Sequence, residues 1–149
     1  MTSAPILIAG GGIGGVAAAL ALGQKGYSVR LLEQAADFGE VGAGIQLGPN
    51  VFKMFEILGL TDAISALAVF PDALVMRDGP SGAEITRIPV NTPAFREKFT
   101  HPYAVIYRPD LHKILVDACR SVPTIELLLG RNVIGHRDTG DGVVVTTED

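Results

Sequence analysis

The sequence predicts an α/β fold built on a parallel β-sheet, and three observations lead to this prediction. A continuous apolar run, Ile6–Ala9, ends at a cluster of glycines, as expected for a strand buried on both faces of a sheet. An Ala- and Leu-rich stretch, Val16–Gln24, follows, and Gly26 is placed to end it as a helix. A second predicted strand, Ser28–Glu33, completes one β-α-β unit of ordinary length.

The middle of the chain is predicted to begin with a loop and two helices. Residues 39–50 are rich in glycine and are predicted to be a loop. A helix is predicted from Pro49 to Leu58, because proline suits a first turn and Gly59 can end the helix. Thr61 and Asp62 indicate the start of another short helix. Further along, we expect two strands joined by a turn at 73–78 and 83–88, and an irregular segment at 89–102.

The last third of the chain returns to alternating strands and a helix. Tyr103–Arg108 is predicted as a strand, and Asp110 as the cap of the helix that follows. That helix has an apolar stripe at the spacing of one helical face, formed by Leu111, Ile114, Leu115, Ala118 and Cys119. Three more strands are predicted at 125–129, 132–137 and 143–147. Because nothing follows the final strand pair, we expect a truncated domain, the N-terminal part of a longer protein.

Composition excludes several classes of partner. The chain has 149 residues, a net charge of −4 and no block of Lys or Arg, so no nucleic-acid or anionic-membrane partner is expected. Its 48% apolar content is enough for a packed core. The single cysteine cannot form an intramolecular disulfide, and the N-terminus lacks a basic region, so a cytoplasmic location is expected.

The motif with a chemical function is Gly10-x-Gly12-x-x-Gly15, between the first strand and the first helix. Gly10 permits the tight turn, Gly12 leaves room for a diphosphate beside the backbone, and Gly15 lets the helix pack closely. The amides and dipole at the helix N-terminus attract phosphate. Glu33, at the end of the second strand, is placed to accept hydrogen bonds from ribose hydroxyls. The motif therefore predicts a dinucleotide site.

The motif does not say which dinucleotide is bound, because FAD and NAD are held in the same way. FAD is favoured, since a second Gly-rich segment follows directly after Glu33. An NAD-dependent dehydrogenase is the alternative enzyme, but the two strands predicted within 73–88 argue against it. A non-catalytic nucleotide-binding module is a third possibility. Arg108 is a further phosphate-binding candidate, because a planar guanidinium at the start of a helix suits a phosphate.

With these residues established, the sequence resembles the class A flavoprotein monooxygenases, the FAD-dependent aromatic-ring hydroxylases, over essentially its whole length. Among them it is most similar to the enzymes that act on hydroxybenzoates and salicylate. The resemblance rests on Ile8–Gly15, Leu32–Gln34, Phe38–Pro49 and Arg108–Leu111. One departure is Gln34, where relatives often have arginine.

The resemblance implies a Rossmann-like FAD-binding domain with a β-rich excursion toward a substrate domain, at about residues 70–100. It implies that FAD is reduced by NAD(P)H, with NADH favoured, and that a small aromatic substrate is hydroxylated using O2. It places Gln46 beside the ribityl chain, Arg108 at the diphosphate or ribityl region, and the Val133 backbone at the adenine. The full set of expected cofactor-binding residues is Gly10, Gly12, Ile13, Gly14, Gly15, Glu33, Gln34, Gly44, Gln46, Arg108 and Val133.

No catalytic residue can be nominated, because the family's acid/base groups and the segments that complete its flavin site lie further along the chain. No metal site is expected, since His101, His112 and His136 match no ligand spacing and are interpreted as structural or exposed. Cys119 is expected to be a small core residue. The exposed edge strands of an incomplete sheet suggest self-association.

Overall fold

The computed structural model describes residues 4–39 and 42–148, which form two compact units. One unit combines residues 1–41 with 109–149, and the other is the continuous segment 42–108. Glu40 and Val41, which belong to the second Gly-rich motif, lie outside the described residues. In chain order the elements are β1 (Ile6–Ala9), α1 (Ile13–Gln24), β2 (Val29–Leu32), β3 (Gly44–Leu47), α2 (Pro49–Leu58), α3 (Thr61–Ser65), β4 (Ala73–Arg77), β5 (Glu84–Pro89), α4 (Pro93–Phe99), β6 (Ala104–Tyr107), α5 (Arg108–Arg120), β7 (Ile125–Leu128), β8 (Val133–Asp138) and β9 (Val143–Thr147).

The first unit is built on a three-stranded parallel sheet in the order β1-β2-β7. The predicted β-α-β unit is therefore confirmed, and β7 extends it on the far side of β2. Helix α1 buries the face formed by Val16, Ala19, Leu20 and Gly23, which recur at helical spacing. At Gly23 a Cβ atom would lie 2.5 Å from Ile125 Cδ1, so the missing side chain allows the close approach of β7.

Helix α5 buries its own apolar face and contacts α1 at Cys119. Leu111, Leu115 and Val116 are buried there, and the Cys119 thiol donates a hydrogen bond to the Val16 carbonyl at 3.3 Å. Burial raises the pKa of that thiol to about 11, so Cys119 is the core residue that the sequence predicts. The unit ends with β8 and β9, which pair as an antiparallel hairpin.

Four details of the first unit differ from the sequence prediction. Strand β1 lies at one edge of the three-stranded sheet and pairs only with β2 in that sheet. It is half-buried, and its last residue, Ala9, is exposed. Helix α1 begins at Ile13 rather than Val16, so the second half of the glycine motif is already helical. Helix α5 begins at Arg108, which places Asp110 in the first turn and not at the cap. On α5, His112 and Val116 are buried, whereas Ile114 and Ala118 are only half-buried.

The second unit contains two separate antiparallel strand pairs, β3 with β6 and β4 with β5. Its core includes Phe52, Phe55, Ile64 and Ile106, and the two phenylalanine rings meet edge to face with centroids 5.8 Å apart. Helix α2 has the predicted bounds and ends at Gly59, whose φ of +72° is the left-handed conformation typical of a helix stop. The predicted hairpin at 73–88 is confirmed as β4 and β5.

Two elements of this unit were not predicted. Residues 39–50 were expected to be a loop, but Gly44–Leu47 forms β3 through its pairing with β6. Residues 89–102 were expected to be irregular, but Pro93–Phe99 forms α4. The Thr92 hydroxyl caps α4 by accepting a hydrogen bond from the Phe95 amide at 3.2 Å. No helix in the described part of the chain is long and apolar enough to cross a membrane.

Candidate nucleotide-binding site

The glycine turn between β1 and α1 has the geometry that its sequence predicts. Gly10 adopts a φ of +103°, which favours glycine, and its amide donates to the Leu32 carbonyl of β2 at 2.7 Å. At Gly15 a Cβ atom would lie 1.9 Å from the Gly10 carbonyl oxygen. The start of the helix therefore rests directly on the turn, and this contact leaves no space for a side chain.

The N-terminus of α1 is open to an anion. Gly12 is the N-cap residue and has no side chain to accept a hydrogen bond from the first turn. The first amides of any α-helix have no partner within the helix, and here they belong to Ile13, Gly14 and Gly15. Gly12 and Gly14 are exposed, and the first turn has no acidic residue. This combination suits a phosphate group, which the helix dipole would also attract.

Glu33 is fixed against the turn by two backbone amides. One carboxylate oxygen, Oε2, accepts from the Gly11 amide at 2.6 Å, and the other, Oε1, accepts from Ala35 at 2.8 Å. Each oxygen of an ionised carboxylate has two lone pairs, so both can accept one more hydrogen bond. Glu33 thus positions the turn and still presents acceptors for hydroxyl groups.

A cleft of about 270 Å³ lies beside the turn. It brings together four of the predicted residues, Gly10, Glu33, Gln34 and Val133. The cleft also includes Arg131 and Asn132, which the sequence analysis did not nominate. Arg131 is held there by its backbone amide, which donates to the Glu33 carbonyl at 2.8 Å. The segment before β8 therefore forms the wall opposite the end of β2.

His112 is the main residue of this region that sequence reasoning missed. It is 4% exposed, and its Nε2 lies 2.6 Å from the carbonyl oxygen of Gly11. It lines a second cavity, of about 110 Å³, together with Gly11, Gly12, Glu33 and Phe38. Its position does not belong to the apolar stripe that the sequence predicts, yet its spacing to Leu115, Val116 and Cys119 puts it on the buried face.

The remaining predicted residues, Gly44, Gln46 and Arg108, lie in the second unit. Gly44 pairs with Tyr107 and the exposed Gln46 with Val105 across the β3–β6 ladder. The Arg108 amide donates to the Ala43 carbonyl at 3.2 Å. Gly42 lies beside the Arg108 side chain, since a Cβ atom there would be 3.4 Å from Arg108 Cδ, an ordinary van der Waals contact.

Comparison with known proteins identifies the architecture. A family model described as "FAD binding domain" matches residues 3–149. The chain belongs to the FAD binding domain family. The glycine turn, the open helix N-terminus and Glu33 are thus features of a member of that family, and the predicted resemblance to FAD-dependent monooxygenases is confirmed.

Relatives of this FAD binding domain include named monooxygenases. The chain is 50% identical over 124 residues to a 3-hydroxybenzoate 6-hydroxylase of Polaromonas naphthalenivorans, covering 83% of this chain and 31% of the relative. It is 35% identical to a 6-hydroxynicotinate 3-monooxygenase of Pseudomonas fluorescens, covering 100% of this chain and 38% of the relative. The flavin-dependent monooxygenase PieE, solved with FAD and substrate, matches with a TM-score of 0.80 at 24% identity, covering 95% of this chain and 26% of that one. The chain therefore spans about a third of the length of the curated relatives it matches.

The other histidines of this FAD binding domain are not part of the turn. His101 Nε2 lies 3.7 Å from a carboxylate oxygen of Glu56 in the second unit, and His136 is exposed on β8. Within residues 4–39 and 42–148, no group of three or more His, Cys, Asp or Glu side chains could hold a metal ion.

Proposed function

We propose that this chain is the Rossmann-like FAD-binding part of a flavin-dependent monooxygenase that hydroxylates a phenolic ring, using NAD(P)H and O2. The observation that supports it most is the turn itself, where the Gly15 contact with Gly10 brings the start of α1 onto the end of β1. A helix N-terminus without a cap then faces the space beside Glu33. These residues fit the adenosine diphosphate half of FAD, and the family match supplies the identity of the dinucleotide.

Each group of residues has a proposed task. The amides of Gly12, Ile13, Gly14 and Gly15 would bind the diphosphate, and Glu33 would accept from the ribose hydroxyls. The cleft that contains Gln34 and Val133 would take the adenosine end, with the Val133 backbone at the base. Its volume of about 270 Å³ is just below the roughly 300–1,000 Å³ typical of ligand pockets.

Three further residues are proposed to bind the flavin half of the cofactor. Gly44, Gln46 and Arg108 are proposed cofactor ligands because they match the family's motifs in this sequence. Arg108 offers a planar cation that suits a phosphate oxygen, and Gln46 is exposed on β3. The bound FAD would supply the redox chemistry, and the residues of this chain would bind and orient it.

The remaining features of the whole protein are proposals from its relatives. Residues 70–100, which contain the β4–β5 hairpin, would begin the substrate domain, and the chain would form part of a longer enzyme in the cytoplasm. Because the relative at 50% identity is named a 3-hydroxybenzoate 6-hydroxylase, a hydroxybenzoate is the substrate class we propose, with NADH as reductant. We propose no nucleic-acid, membrane or metal partner, and we propose that the isolated chain lacks activity and self-associates.

The absorption spectrum of the purified chain, before and after addition of FAD and gel filtration, tests the binding site. A flavin band that elutes with the protein is the expected result. A chain that retains no flavin but quenches NADH fluorescence would favour the alternative, an NAD-dependent dehydrogenase domain. A chain that binds neither would refute a functional dinucleotide site in this segment. For the natural protein that contains this chain, NADH oxidation stimulated by hydroxybenzoates tests the proposed reaction.

A further inference from the structure

The Gly11 carbonyl is held by a buried histidine from a distant part of the chain. His112 Nε2 lies 2.6 Å from this oxygen, although the two residues are 101 positions apart. A carbonyl oxygen can only accept, so the shared hydrogen belongs to Nε2. His112 is the only polar or charged residue that is buried among those the structure describes. A buried polar group of this kind is retained only where its hydrogen bond is satisfied.

This hydrogen bond fixes the direction of the Gly12 amide, which belongs to the proposed diphosphate site. The Gly11 carbonyl and the Gly12 amide belong to one peptide group, and no cis peptide bond occurs in the described residues. In a trans peptide the C=O and N–H bonds point in opposite directions. Holding the carbonyl toward His112 therefore turns the Gly12 N–H away from α5.

The preceding peptide group is fixed in the same way from the other side. Its N–H, on Gly11, donates to Glu33 Oε2 at 2.6 Å. Gly11 itself is buried, and a Cβ atom there would lie 2.7 Å from Phe38 Cε1 and 3.0 Å from Glu33 Cβ. Two consecutive peptide planes are thus held by Glu33 and His112, with Phe38 packed over the glycine between them.

We propose that His112 is a positioning residue for the diphosphate of the bound dinucleotide. Its Nε2 is engaged by the Gly11 carbonyl, so it acts by orienting the Gly12 amide, and its contribution falls on the phosphates and not on the adenosine. This inference rests on the proposed function, because it presumes that the turn binds a diphosphate. The role needs a donor at the position of Nε2, which glutamine can supply and methionine cannot.

The test compares His112→Gln with His112→Met, two unbranched side chains of similar length that differ in the donor. ADP and adenosine are titrated into each purified protein and followed by NMR chemical-shift changes, with unfolding midpoints measured in parallel. We expect His112→Met to bind ADP about tenfold more weakly than the wild type, the effect of one lost hydrogen bond. Adenosine affinity should be unchanged, and His112→Gln should recover most of the ADP affinity. His136→Met, on the exposed face of β8, is the matched control and should bind both ligands as the wild type does.

Each outcome separates the inference from the proposed function. Equal ADP affinity in the methionine and glutamine variants would overturn the positioning role, as would a parallel loss of ADP and adenosine binding. A wild type that binds neither ADP nor FAD would overturn the proposed function, and the inference with it. If the methionine variant fails to fold, the glutamine variant decides alone. A folded glutamine variant with wild-type ADP and adenosine affinities supports the donor role, and one that binds ADP tenfold more weakly contradicts it.

Discussion

Replacing Gly15 by alanine tests how tightly helix α1 sits on the glycine turn. The added Cβ would lie 1.9 Å from the Gly10 carbonyl oxygen, more than 1 Å inside the 3.0 Å limit of real Cβ contacts. The obstacle is backbone, so the helix or the turn has to move. Extra atoms forced into a packed site cost about 1–3 kcal/mol, against a helix-propensity gain of at most about 1 kcal/mol. We expect a net loss of about 1–2 kcal/mol in the free energy of unfolding.

The neighbouring glycine provides the matched control. Gly14 lies in the same first turn, but a Cβ atom there would meet nothing within 4 Å. Gly14→Ala should therefore be neutral or stabilised by up to about 1 kcal/mol, because alanine favours the helix. Urea denaturation of both variants gives the free energies, and gel filtration with FAD gives cofactor retention. Equal stability and equal retention in the two variants would refute the argument that close packing requires glycine at position 15.

Three further predictions concern the turn and the core. Gly10→Ala should lower the free energy of unfolding by about 1–3 kcal/mol, because alanine is strained at a φ of +103°. Thermal denaturation measures this effect, and an unchanged midpoint would contradict it. Glu33→Gln exchanges one acceptor oxygen for an NH2 group that faces a backbone amide, so FAD affinity should fall by about tenfold. A fluorescence titration measures this, and wild-type affinity would show that the carboxylate is dispensable. The Cys119 thiol has a pKa raised by burial from 9.0 to about 11, so the folded state holds this proton more tightly than the unfolded state. Its contribution, about 2–3 kcal/mol, is complete below about pH 9 and is lost as the pH rises toward about 11. The difference in unfolding free energy between the wild type and Cys119→Ala should shrink over that range, and a constant difference would disprove the assignment.

The first unit could be predicted well because its signals are local. The strand, turn and helix from Ile6 to Gln24 follow one another along the chain, and the glycine spacing fixes the turn between them. The conformations of Gly10 and Gly15 agree with the roles expected for them. Whether these residues bind FAD stays a prediction, as does the role of Gly44, Gln46 and Arg108.

The elements that escaped prediction depend on distant or overlooked partners. Strand β3 exists because it pairs with β6, and a Gly-rich sequence alone does not indicate this pairing. Helix α4 had a local signal, Thr92 followed by Pro93, but the surrounding polar residues were interpreted as irregular structure. The role of His112 depends on a carbonyl 101 positions away, so no local pattern contains it.

The first unit is formed by two separate stretches of the chain, and this affects the order in which the molecule can fold. β1 and β2 are joined by α1 alone, whereas β7 reaches β2 only after the whole of 42–108, and Arg30 and Glu126 pair across 96 positions. Closing a loop of that length costs about 4 kcal/mol of chain entropy. During synthesis, the segment 42–108 is made before β7, so its internal contacts become available earlier than the pairing of β7 with β2. The cleft beside the glycine turn, which needs residues beyond β7, would therefore be among the last features to form.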